Sequence, residues 1–256
     1  VSRFIEGRAS QQFRRKEPIQ DFTGARQVSK NYTLSTTTEI QLLLATDDCS
    51  AAVSCLRDAL DPRRASVTVE VTHGLLIENA TIGDSVGSQE TLPDLIVALR
   101  ATDLAALLET VSQIAPQLAP LVNHNASYVF GARRHEILAG WGHVRIYYGI
   151  RRLPNMTRAA FQDYWGGHHA DVGRRLIPPY SYVQSHAIAE ICDAASAASG
   201  LASTSLDGIV TVHFPDLAAA QKQLSDERVA AEALEDEARF IDHARVQFGL
   251  YSCEMI

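Results

Sequence analysis

The sequence predicts an α+β protein made of two ferredoxin-like β-α-β-β-α-β units. Three observations carry this. The same order of elements is readable twice along the 256 residues. Strand candidates are short apolar or alternating runs, whereas helix candidates carry one apolar stripe. Only a short connection, about residues 133–141, separates the two strings of elements.

In the first unit, residues 39–45 read as a buried strand. Asp48 or Ser50 can cap a helix with Val53, Leu56 and Leu60 on one face, stopped by Asp61-Pro62. Residues 66–72 alternate, Val67, Val69 and Val71 on one side and Thr68 and Glu70 on the other. A polar loop at 79–91 leads to an apolar strand at 94–99. Asp103 caps a long helix striped by Leu104, Leu107, Leu108, Val111, Ile114 and Leu118. Residues 127–132 form the closing strand.

The second unit repeats the order, with a strand at 143–150, a helix at 157–176 and a strand at 181–188. Residues 194–205 are rich in Ser, Ala and Gly and read as a mobile loop. A strand at 208–214, one or two helices from Asp216 to about His243, and a last strand at 246–254 complete it. The division expected is a basic flexible arm at 1–32, a degenerate unit at 33–138 and a second unit at 139–256. The arm includes Ile5-Glu6-Gly7-Arg8, which resembles a protease-recognition sequence.

Composition bounds the function. A net charge of -7 argues against nucleic acid and anionic membrane as partners. No apolar run approaches the ~20 residues of a membrane helix. The four cysteines form no CxxC pair and no zinc-ligand spacing, which points to reduced thiols in a cytoplasmic protein and to no metal. A Gly-rich dinucleotide loop, a Walker loop, a Gly-x-Ser-x-Gly elbow and an HExxH motif are all missing from the sequence.

Periodicity places the candidate site residues. Phe161, Tyr164, Trp165, His168 and Val172 follow helical spacing, so His168 falls near the centre of the apolar face and His169 at its edge. His143, Arg145, Tyr147 and Arg151 share one strand face, and Tyr182, Gln184 and His186 share another. Both polar sets either point into a space between two facing sheets or form an exposed polar face; the family resemblance described below implies the former, with Arg145, Tyr147 and Tyr182 binding substrate there. His73 and His213 read as core histidines, each with a backbone hydrogen-bonding partner.

Arg151-Arg152-Leu153-Pro154, the run from Thr157 to Trp165, and His168-His169 together resemble the EthD pattern. Tyr182-Val183-Gln184-Ser185-His186 is similar to that family's second strand, and Asp236-Glu237-Ala238-Arg239-Phe240-Ile241-Asp242 to its late acidic segment. The resemblance covers about 115 residues, roughly 142–256. It implies an intrachain dimeric α+β barrel, with the first unit as the wall of a cavity. It also favours His169 over His168 as the functional histidine and gives Asp236, Phe240 and Asp242 a structural role.

The activity the resemblance implies is cofactor-independent catalysis on an aromatic, polyketide-like or other hydrophobic carbonyl compound. A lyase or isomerase of cyclase or dehydratase type is favoured over a cofactor-free oxygenase. His169 or His168 would move the proton, with His186, Tyr147 or Tyr182 at the developing oxyanion and Tyr164 and Trp165 lining the pocket. Haem binding through His168, with His243 second, and a non-catalytic small-molecule-binding protein are the alternatives. The expected partner is a small hydrophobic substrate, and a homodimer is left open.

Overall fold

The computed structural model describes residues 36–60, 66–78 and 91–256. The expected basic arm, the helix stop at Asp61-Pro62 and nearly all of the polar loop at 79–91 lie outside them. The first six elements are β1 (Thr36–Leu44), α1 (Cys49–Ala59), β2 (Thr68–Glu78), β3 (Leu95–Ala101), α2 (Leu104–Leu118) and β4 (Tyr128–Leu138). Then come β5 (Val144–Ile150), α3 (Arg158–Tyr164), a π-helical turn (Trp165–His169), α4 (Ala170–Leu176) and β6 (Tyr182–Ala187). The chain ends with α5 (Ala189–Ser199), β7 (Ala202–Ser203), β8 (Gly208–Phe214), α6 (Leu217–Leu224), α7 (Glu227–Glu237) and β9 (Gln247–Met255). No helix among these residues is long and apolar enough to cross a membrane.

Side-chain oxygens start the helices. Asp48 accepts from the Ala51 amide, Asp103 from Ala105, Thr157 from Ala160 and Asp216 from Ala219, which satisfies amides that have no partner within the helix.

The strands run β1-β3-β2-β9-β5-β8-β6-β4, and β4 pairs back to β1. The sheet is therefore a closed antiparallel barrel of eight strands, with β7 added in parallel beside β4. Each half supplies four strands in ferredoxin-like order, and the halves meet edge to edge at β2–β9 and β4–β6. Closure removes the sheet edges that would otherwise offer unpaired backbone groups.

Alternation sorts every strand into a helix-facing and an interior set. Ile40, Leu42, Val71, Leu95, Val97 and Leu99 pack under α1 and α2. Ile146, Tyr148, Val210, Val212, Phe248 and Leu250 pack under the helices of the second half.

The barrel interior is filled. Arg145 is fully buried and donates to Glu70 (3.1 Å), Thr72 (3.0 Å), Gln41 (3.1 Å) and Thr211 (3.0 Å). Glu70 also accepts from Arg100 (2.9 Å) and pairs with His213 (3.1 Å), and Arg100 reaches Glu39 (3.0 Å). Burial alone would raise the Glu70 carboxyl, but the surrounding arginines and His213 outweigh it and hold Glu70 well below the carboxylate range. A second interior layer is apolar: Leu43, Ile96, Phe130, Tyr147, Ile209 and Tyr251.

One expected loop is a helix. The sequence reads residues 194–205 as mobile, yet α5 runs to Ser199 and ends on Gly200 in the left-handed conformation (φ 72°). Ile191, Ala195 and Ser199 recur every four residues and bury one face, and their small size lets α5 lie against α2 and β4.

Candidate active site

The π-helical turn decides which histidine is buried. A π turn holds one residue more than an α turn, so the apolar stripe slips by one position as it passes. Phe161 and Trp165 are then followed on the buried face by His169, Val172 and Leu176. His169 is 7% exposed, whereas the His168 side chain is 59% exposed. The spacing argument for His168 is thus corrected, because it assumed a regular α-helix through Gly166-Gly167.

His169 meets an acid. Its Nδ1 lies 2.7 Å from Oδ2 of Asp236, at the end of α7. The Tyr164 hydroxyl donates to Oδ1 of the same carboxyl (2.7 Å), and His168 Nε2 approaches it at 3.2 Å. Burial pushes the Asp236 carboxyl up, but the hydrogen bonds from Tyr164 and His169 and the two imidazoles together hold it below its ordinary value. Burial, then the bond to Asp236, pushes the Tyr164 phenol up to about 12, so it remains a donor. An ionised carboxylate only accepts, so Nδ1 carries the proton and Nε2 is the basic nitrogen of His169.

This dyad borders a cavity of about 140 Å³ between the helices and the outer face of the barrel. The sheet contributes Ile146, Tyr148, Tyr182, Val210, Val212 and Phe248; the helices contribute His169, Val172, Leu176, Ala230, Ala233 and Glu237. The Tyr148 hydroxyl donates to Oε2 of Glu237 (3.0 Å), and burial and that carboxylate push its phenol well above the usual value.

The other predicted residues fall elsewhere. Tyr182, Gln184 and His186 do share a face, but it is the helix-facing side of β6 and not the space between the sheets. Gln184 donates to the Trp165 carbonyl (2.9 Å) and to the Tyr182 hydroxyl (2.8 Å). His186 stacks flat on Trp165, ring centroids 4.3 Å apart, and burial holds its imidazole down at about 3. His186 thus lies beneath the π turn and outside the cavity lining, while Tyr182 lines the cavity with its ring. Arg145 and Tyr147 do point into the barrel, as their strand face predicts. Arg145 is consumed by the buried network there, and Tyr147 donates to Gln247 (2.7 Å) in the packed apolar layer. At that level the described side chains occupy the space expected between the sheets.

The barrel opens at one end into a larger cavity of about 480 Å³, lined by Leu43, Leu92, Tyr128, Arg151, Ser205 and Gln247 among others. Its described lining holds no histidine and no carboxylate. In the interior, Glu70, His213 and Cys253 lie close enough together to suggest metal ligands. Glu70 is already held between two guanidinium groups, and burial pushes the Cys253 thiol up to about 12. A cation there would face two arginines and a protonated thiol, so the set is an ion-pair network. His213 is buried as expected, but its ring meets the side chains of Ser181 (3.2 Å) and Glu70 (3.1 Å), not a backbone group; His73 is half-exposed beside Glu254 (3.4 Å).

Three participants escape the sequence reading: Asp236 as the group that orients His169, and the Tyr148–Glu237 pair in the cavity wall. Tyr148 belongs to the helix-facing set, where a buried hydroxyl needs an acceptor, and Glu237 sits beside Asp236 in the acidic segment.

Residues 153–244 match the EthD domain. The EthD match therefore spans the π turn, His169 and Asp236. No curated protein matches the chain. The fold is similar to that of a chlorite dismutase from Candidatus Nitrospira defluvii, a mutant in complex with cyanide (11% identity, TM-score 0.50, 84% of this chain and 90% of that one). It is likewise similar to a candidate monooxygenase from Fusobacterium nucleatum (6% identity, TM-score 0.50, 86% and 93%). A haem-binding protein from Thermus thermophilus aligns with a TM-score of 0.46 at 12% identity over 87% and 93% of the two chains. At identities of 6–11% the two likenesses with a TM-score of 0.50 bear on the fold alone, a barrel of tandem ferredoxin-like units.

Proposed function

We propose that the chain is a cofactor-independent lyase or isomerase, of cyclase or dehydratase type, acting on a small hydrophobic carbonyl compound. The observation that supports this is the His169–Asp236 pair, with His169 in the wall of a mostly apolar cavity. Asp236 fixes the tautomer and balances the imidazolium that forms when Nε2 takes a proton from carbon or oxygen. Release of that proton to another atom of the substrate completes an isomerisation or an elimination. A cavity of about 140 Å³ is close to the ~150 Å³ site that accepts benzene, so one ring is the size that fits. This narrows the expectation from polyketide-sized to single-ring substrates.

Haem fits poorly. The cavity offers a histidine, His169, but a macrocycle of four pyrroles is several times too large for it.

The test is deuterium uptake from heavy water at the α-carbon of a single-ring ketone such as acetophenone, followed by proton NMR. The wild type should accelerate uptake, His169→Ala should lose it by about 10²-fold or more, and His168→Ala should retain it. Full uptake in His169→Ala contradicts the assignment, and binding of the ketone without uptake favours a binding protein.

A further inference from the structure

The cavity has a second polar pole opposite in character to His169. Glu237 lies on the last turn of α7, its side chain 13% exposed, and lines the cavity. Tyr148 Oη and His243 Nε2 each lie 3.0 Å from its Oε2. Among the described residues, no hydrogen bond reaches Oε1. The two partners hold Oε2 and leave Oε1 open, in a cavity whose remaining wall is mostly apolar, His169 and Gln223 apart.

We propose that Glu237 is the specificity-determining residue of this cavity and selects a neutral, hydroxyl-bearing single-ring ligand, a phenol in chemical class. A phenol O–H donates to Oε1 and satisfies it, while the ring packs against Ile146, Val172 and Phe248. A plain hydrocarbon of the same size leaves Oε1 without a donor after water is expelled. A benzoate brings a second negative charge against a largely buried carboxylate. Tyr148 cannot turn away to serve an anion, because its hydroxyl is committed to Oε2, and burial and the Glu237 charge keep it protonated. The inference rests on this cavity being the site proposed above, and not on the reaction proposed for it.

The experiment is fluorine NMR titration of the full chain with para-fluorophenol, fluorobenzene and para-fluorobenzoate near neutral pH. The phenol should bind about tenfold tighter than fluorobenzene, and the benzoate weakest of the three. Glu237→Gln keeps the acceptor for Tyr148 but turns the open oxygen into a donor. It should shrink the phenol preference to about threefold or less and admit the benzoate. Equal affinity for phenol and fluorobenzene in the wild type, or an unchanged ratio in a folded Glu237→Gln, overturns the proposal. If Glu237→Gln fails to fold by circular dichroism, the wild-type comparison alone decides. Phenol preference without ketone deuteration supports this inference and removes the acid–base reading; deuteration without phenol preference does the reverse.

Discussion

Asp236 gathers Tyr164, His168 and His169 around one carboxyl, and each has a different part. Tyr164 anchors Oδ1, His169 takes Oδ2 and faces the cavity, and His168 approaches from the solvent side. His186 is a second residue whose environment makes a measurable statement. In the unfolded chain it takes up a proton near pH 6.5, and in the folded chain only at about 3. Between those values the unfolded state binds more protons, so stability is complete above 6.5 and falls as the pH drops. The slope has an upper limit of about 1.4 kcal/mol per pH unit for this one group. His213 and His135 are also held below the ordinary value by burial and act in the same direction. Thermal melts from pH 6.5 down to 4 should therefore steepen in the wild type and flatten in His186→Phe, which keeps the stack on Trp165. An identical slope in the two proteins would show that His186 titrates elsewhere.

At the scale of elements, the π turn is the feature that organises the site. It moves His169 inward, and the Trp165 carbonyl within it accepts from Gln184. Trp165 itself lies against β8 because Gly208 has no side chain; a Cβ there would collide with the indole ring. Gly208→Ala should cost about 1–3 kcal/mol by chemical denaturation, as overpacking does, and weaken the His169 geometry with it. A neutral effect would mean that Trp165 can shift freely. The element order, the caps at Asp48, Asp103 and Asp216, and the two faces of β5 are legible in the sequence, because burial and capping leave periodic signals. The π turn is not, since its one-residue slip has no periodic signature and Gly166-Gly167 reads only as a weak helix. The face of β6 is misread for a related reason: Gln184 and His186 look like the polar lining of a space between sheets until the carbonyl and ring that satisfy them are known. Helix α5 stays hidden because alanine and serine repeats supply helix propensity and loop character alike.

For the whole molecule, closure of the sheet moves the candidate chemistry outside the barrel. Among the described residues, Glu39, Glu70, Arg100 and Arg145 occupy the interior and bind each other. Such a network resists the loss of any one member: Arg145→Ala strands Glu70 with less compensation and should destabilise by about 3–5 kcal/mol in urea. A loss under 1 kcal/mol would indicate that water enters the barrel and solvates Glu70. The resemblance carried by the second half points to His169, the histidine that the π turn buries, and the barrel explains why the cavity beside it lies under helices. The most direct test of that placement is a crystal soaked with para-bromophenol, located by the anomalous signal of bromine. The account predicts the bromine peak under α4 and α7, within contact of His169, Val172 and Phe248. A peak inside the barrel, or only in the larger cavity beside Arg151 and Tyr128, would contradict it.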